Sequence, residues 1–178
     1  GSEALSIKAG EFNVTGGTLK AFGVYADPAS PYNDGSEATG AAISITANDG
    51  YAKGVKITVK DATVESENGY AVYEGLTTAS QTTALADGGL KLEGGSYTAE
   101  KGAVNVNNAE GFITGGTYSS EVDEEYLSTD LVTKEDEDGN YLVGEEHNVT
   151  VATTENGEVE VDKEKAVAGE KVTITITP

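Results

Sequence analysis

Leu90-Lys91-Leu92-Glu93-Gly94-Gly95-Ser96-Tyr97 and Gly111-Phe112-Ile113-Thr114-Gly115-Gly116-Thr117-Tyr118 share one pattern, 21 residues apart. Apolar residues alternate with polar ones up to a Gly-Gly pair, and a hydroxyl residue and an apolar residue follow. A third copy is Phe12-Asn13-Val14-Thr15-Gly16-Gly17-Thr18-Leu19, and a degenerate fourth is Ile57-Thr58-Val59-Lys60-Asp61-Ala62-Thr63-Val64. A second short apolar element follows three of the copies, at Gly23-Val24-Tyr25, Gly69-Tyr70-Ala71-Val72 and Gly102-Ala103-Val104. Alternation of this kind is the signature of strands, and the Gly-Gly pair suits a corner that needs positive φ with no side chain against the next layer. A unit so short cannot bury its apolar face alone and must stack on its neighbours.

These observations predict an all-β fold, a right-handed parallel β-helix of about five to six short coils. The copies start at 12, 57, 90 and 111. A basic period near 21 accommodates the 45-residue gap if Ala42-Ile43-Ser44-Ile45-Thr46 supplies an extra coil, and the 33-residue gap if Leu76 to Asp87 is an insertion. At about 4.8 Å per coil the rod would be on the order of 25–30 Å long.

Beyond residue 118 the pattern changes. Ser120 followed by Glu121 to Leu127 reads as an N-capped helical turn, and Leu131-Val132-Thr133 and Tyr141-Leu142-Val143 flank the hairpin signal Asp138-Gly139-Asn140. His147 to Ala152, Gly157 to Val161 and Lys171 to Thr177 then alternate as three half-exposed strands. The expected organisation is a rod over 1–118, a cap of short helix plus hairpin over 119–144, and a small β extension over 145–178.

Composition narrows the function. The 178 residues include 31 acids and 11 lysines, with no arginine, cysteine, methionine or tryptophan and one histidine, for a net charge of −20. Cysteine nucleophiles, thiolate metal sites and disulfides are excluded, and so is a zinc site built on several histidines. A surface this acidic repels phosphate backbones, so nucleic acid is not an expected partner. No apolar run approaches the roughly 18 residues of a membrane span, so membrane insertion is not expected either.

Four groups of residues could form a site. Tyr25, Tyr73, Tyr97 and Tyr118 (with Tyr70 beside them) fall on related strands, and exposed rings in a row make a sugar-binding platform; ladders of like residues inside or on the rod are the competing and commoner reading. Glu65, Glu67, Glu93 and Glu100 on adjacent coils could supply the acid pair of a glycosidase, against the simpler reading of a solvated face. Asp136, Asp138 and Asn140 are weak metal candidates, since Asp136 to Asn140 superficially resembles a calcium loop but lacks its ligand spacing. Asn105, Asn107 and Asn108 suit hydrogen-bonded corners, and His147, with no nucleophile motif nearby, suits a structural position. No catalytic residue is assigned, and no cofactor is expected beyond weak Ca2+.

Ile113-Thr114-Gly115-Gly116-Thr117-Tyr118-Ser119-Ser120-Glu121-Val122, running on to Asp138-Gly139-Asn140-Tyr141-Leu142-Val143, resembles a segment common in large surface proteins of Gram-positive gut bacteria. There a Gly-Gly-Thr-aromatic-Ser stretch closes a β-helical, pectate-lyase-like region. The usual Asp-Gly-Tyr between helix and hairpin is shortened here to Ser128-Thr129-Asp130. The tail, from Val149-Thr150-Val151 to Ala168-Gly169-Glu170-Lys171-Val172-Thr173-Ile174, is similar to the first half of a bacterial β-repeat related to the internalin B-repeat. The resemblance implies an extracellular, cell-surface, multidomain parent and no particular activity, since such rods host lyases, hydrolases, adhesins and inert stalks alike. The expected function is a non-enzymatic stalk or adhesion module. The alternatives are a glycan-binding module built on the tyrosine row and, more weakly, a polysaccharide lyase or glycoside hydrolase. Expected partners are host or plant glycans or cell-wall material.

Overall fold

A computed structural model describes residues 2–24, 37–46, 54–76, 83–107, 109–152 and 157–178. The fold is all-β, with parallel and mixed sheets and no α-helix among the described residues. The chain passes through the same short strands repeatedly. β1 (Leu5–Ile7), β2 (Gly10–Thr15) and β3 (Thr18–Ala21) are followed by β4 (Ile43–Thr46), β5 (Val55–Lys60) and β6 (Thr63–Ser66). Then come β7 (Tyr70–Gly75), the long β8 (Leu85–Ala99), β9 (Gly102–Asn105) and β10 (Ile113–Tyr118).

Each strand pairs in parallel with its counterpart one pass later. β1, β4, β7 and β9 make one four-stranded sheet, and β2, β5, β8 and β10 run through an eight-stranded one. β3 pairs β6, and β6 pairs the second half of β8. The register stacks like on like: Phe12, Ile57 and Leu90 form one ladder, and Val14, Val59, Leu92 and Ile113 another. Past the corner, Leu19, Val64, Tyr97 and Tyr118 form a third. Ile43, Val72 and Val104 align in the second sheet. Most of these inward positions are buried and join into one core, with Val14, Leu19 and Val104 partly buried against it and Phe12 left exposed at the first pass, so the alternation seen in the sequence is largely the alternation between core and solvent.

The pairing corrects the count of passes. β2 pairs directly with β5, so no coil lies between the first two copies. Ala42 to Thr46 does not supply an extra coil; its strand, β4, is the first element of the second pass and pairs β1 and β7. Four passes are therefore present among the described residues; within the long gap between copies, residues 25–36 and 47–53 lie outside them. The stretch Leu76 to Asp87 is only partly an insertion, because Leu85 already belongs to β8 and pairs Val55; residues 77–82 lie outside the described residues.

After β10 the chain makes a single 3-10 turn at Glu124–Tyr126, preceded by Asp123. Ser120 does not cap it: its Oγ accepts the Ala103 N–H at 2.9 Å, so the hydroxyl is spent on β9. Tyr126 from this turn is buried against Phe112, with ring centroids 4.9 Å apart. The hairpin β11 (Val132–Glu135) and β12 (Tyr141–Gly144) follows, and β12 lies antiparallel along β10.

Among its described residues the tail holds four strands rather than the expected three, in two ribbons. β13 (Glu146–Asn148) pairs β15 (Lys165–Val167), and β14 (Glu158–Val161) pairs β16 (Ile174–Thr177). In the second ribbon Val159 faces Ile176 and Val161 faces Ile174. Directly opposed residues share a face, so four aliphatic side chains line one side, with Ile174 60% and Ile176 71% exposed.

Candidate functional site

The tyrosines lie inside. Tyr97 and Tyr118 have no exposed surface, and their rings stack at 4.8 Å with planes 6° apart. Tyr73 is 8% exposed and stacks on Tyr70 at 5.8 Å. A sugar needs an open ring face, so Tyr73, Tyr97 and Tyr118 form no platform; they belong to the ladders that hold successive passes together. Tyr25 lies outside the described residues. The hydroxyls differ in a telling way. That of Tyr118 donates to the Gly115 carbonyl at 3.0 Å, whereas that of Tyr97 is buried without a hydrogen-bond partner.

Burial pushes both phenols far above the ordinary tyrosine range, with a smaller contribution from Asp61 at Tyr97 and from Tyr97 at Tyr118. A phenol whose folded pKa is raised favours the fold fully below its unfolded pKa of about 10, and that contribution is lost as pH rises beyond it. Alkaline unfolding is therefore expected to begin above about pH 10. Tyrosinate absorbance from these two rings should appear only together with loss of the sheet circular-dichroism signal.

The acids also have simple surroundings. Glu65 pairs Lys20 at 2.9 Å across β3 and β6, both partly exposed, a geometry that contributes little to stability in solvent. Glu93 stands opposite Lys60 in the ladder, and Glu67 and Glu100 are exposed. Asp136 is occupied by its own turn. Its Oδ1 accepts the backbone N–H groups of Asp138 and Asn140, each at 2.9 Å, and the Asn140 amide donates to both carboxylate oxygens. Chiefly through the Asn140 N–H, those donors hold the Asp136 carboxyl below its usual range. The hairpin thus uses Asp136 and Asn140 as turn residues. Beside the turn, a depression of about 330 Å3 is lined by acids together with Lys163 and Lys171, which pair Glu170 and Glu137 at 2.8 Å each. Among the described residues no three His, Cys, Asp or Glu side chains gather as a metal site. No helix among them is long and apolar enough to cross a membrane. His147 is exposed on β13, opposite Ala166.

One polar residue was invisible from sequence. Glu74 is 2% exposed at the end of β7, in line with the apolar ladder. One carboxylate oxygen accepts the Thr83 hydroxyl at 2.5 Å and the Ala84 N–H, and the other accepts the Asn107 N–H at 2.6 Å. The Asn107 side chain returns a bond to the Glu74 carbonyl at 3.3 Å. Glu74 thereby ties the start of β8 and the segment after β9 to β7, and Asn107 takes the corner role expected of it. Asn105 ends β9 opposite Tyr73, and Asn108 lies outside the described residues. A lone Glu in a strand gives no pattern that would mark it. Glu74→Gln puts an amide donor where three donors converge, and a loss of about 2–3 kcal/mol is expected in urea unfolding.

No family model, no curated protein and no solved structure matches the chain.

Proposed function

We propose that the chain is a non-enzymatic module of a bacterial cell-surface protein, in which a parallel β-helix acts as a stiff stalk, a spacer rather than an adhesion domain. What supports the winding is the alternation of strands between two sheets, each strand pairing in parallel with its counterpart one pass on. In this reading 1–118 is the rod, 119–144 closes one end, and 145–178 begins a β-repeat that links to the next module. The setting, extracellular and wall-attached, rests on the resemblance of 111–178 to surface proteins of Gram-positive gut bacteria.

The single observation that carries the function is the in-register core. The residues with the shapes most suited to ligand binding, Tyr97 and Tyr118, are spent on stacking passes against each other. Every pass is tied to the next by backbone ladders and by side chains of the same kind, which is how a spacer resists bending and proteolysis. The acidic surface keeps such a rod soluble. The glycan-binding alternative draws less support, because three of its four tyrosines are buried.

A glycan array with mucin and plant-wall polysaccharides, run with and without calcium and checked for cleaved products, tests this reading. The spacer predicts neither binding nor cleavage. Specific binding would replace it with an adhesive module, and product release with an enzyme.

A further inference from the structure

Among the described residues the first pass is open on one side: β1 ends the four-stranded sheet, β2 ends the eight-stranded one, and β3 pairs only β6. Three strand edges therefore offer unpaired N–H and C=O groups at the same end of the stack, which is an invitation to further pairing. Apolar side chains lie with them: Phe12 is 38%, Phe22 63% and Val24 75% exposed, and Val14 and Leu19 are half-buried. The opposite end differs, with β12 laid along β10, the Ser120 hydroxyl on Ala103, and Leu127 bridged to Ile113.

We infer that this open face is a self-association surface, on which a second copy of the chain stacks head to head. Charge favours that occupant. Residues 2–24 hold Glu3 and Glu11 against Lys8 and Lys20, a net charge of zero in a chain that carries −20 overall. Two copies can meet here without setting acid against acid.

The register favours it as well. β2 and β3 are two arms joined at Gly16-Gly17, so a two-fold axis through that corner lays β2 antiparallel on the partner's β3, and β3 on the partner's β2. Val14 then faces the partner's Leu19, and Phe12 the partner's Ala21, aliphatic or aromatic on aliphatic in continuation of the ladders beneath. Outward, exposed Asn13 faces the partner's Lys20. By symmetry each contact occurs twice, as an isologous interface requires. The face is small beside the roughly 800 Å2 per partner of a stable complex, so the dimer is a weak one.

Sedimentation velocity on the full chain tests this from about 1 to 200 μM, concentrations that bracket a weak interface. The expected result is reversible growth from 18.3 kDa toward twice that mass, stronger at high salt, where repulsion between acidic copies is screened. Two substitutions at exposed Asn13 give opposite signs. Asn13→Lys sets like charges across both symmetric contacts and should weaken the dimer about twofold, while Asn13→Glu should tighten it by a similar factor, both effects being held down by Glu65, which already pairs Lys20 at 2.9 Å. Circular dichroism and melting of both variants should match the parent. A monomer at every concentration overturns the inference. So does a dimer indifferent to both Asn13 changes, or one abolished by Ile174→Lys with Ile176→Lys, which would move the interface to the exposed aliphatic ribbon.

Discussion

Replacing Tyr118 by Ala should lower the melting temperature by about 10 °C, with a loss near 4 kcal/mol. The ring is fully buried and stacked on Tyr97, and it stands at the last rung of the ladder Leu19, Val64, Tyr97, Tyr118. Truncation removes an aromatic side chain from contacts on two strands, and the β12 hairpin packed along β10 limits collapse of the cavity. The phenol groups separate packing from polarity. Tyr118→Phe forfeits the bond to Gly115 and should cost about 1 kcal/mol. Tyr97→Phe removes a buried hydroxyl that has no partner and should leave stability unchanged or raise it by about 1 kcal/mol. Differential scanning calorimetry on the three variants distinguishes the signs. Equal losses for both Phe variants would contradict the assignment of partners.

Gly95→Ala is expected to be as severe, for a backbone reason. Gly95 sits at φ 86°, and a Cβ built there meets the Ala62 carbonyl oxygen at 2.3 Å and the Ala62 nitrogen at 2.9 Å. That carbonyl accepts the Ser96 N–H at 2.9 Å, one of the bonds that join the second and third passes. The left-handed conformation alone costs an alanine roughly 1–2 kcal/mol. Relieving the clash must also part the two passes at their corner, for a total of about 3–4 kcal/mol. Gly17 is the control. It has φ 76° at the equivalent position of the first pass, but its Cβ would meet nothing within 4 Å. Gly17→Ala should therefore cost only the conformational part, about 1–2 kcal/mol. Chemical denaturation of both proteins measures the difference, which is the contribution of the neighbouring pass. Equal losses would mean that no neighbour is stacked on Gly95.

Much of this arrangement is legible in the residues themselves. The Gly-Gly repeat marked three corners, and at the fourth, in the degenerate copy, Asp61, which takes φ 50°, stands where the others have glycine. The apolar positions of each copy became the core ladders, and Asp138-Gly139-Asn140 became the hairpin turn. The number of passes was not readable from spacing, because a gap of 45 residues fits an extra pass or a long connection equally well. Only the pairing of β2 with β5 decides it.

The side of each tyrosine was hidden for a different reason. Leu90 and Leu92 point inward, but the Gly94-Gly95 corner shifts the alternation by one, so inward-facing Tyr97 is out of phase with them. Period-two reasoning cannot be carried across a corner, and tyrosine composition suits either face. β15 escaped notice because its three residues are too few to show alternation. Glu74 escaped because its partners, Thr83, Ala84 and Asn107, lie 9 to 33 residues away.

The interior passes of the stack are held from both sides. Amide hydrogen exchange, residue by residue and at concentrations where the chain is monomeric, tests that directly. The slowest amides should be those of β5 and the middle of β8, each flanked by a pass above and below, with β1 to β3 exchanging sooner and β14 and β16 soonest. Protection that is greatest in the 145–178 tail, or equal between β2 and β5, would contradict the stacked arrangement.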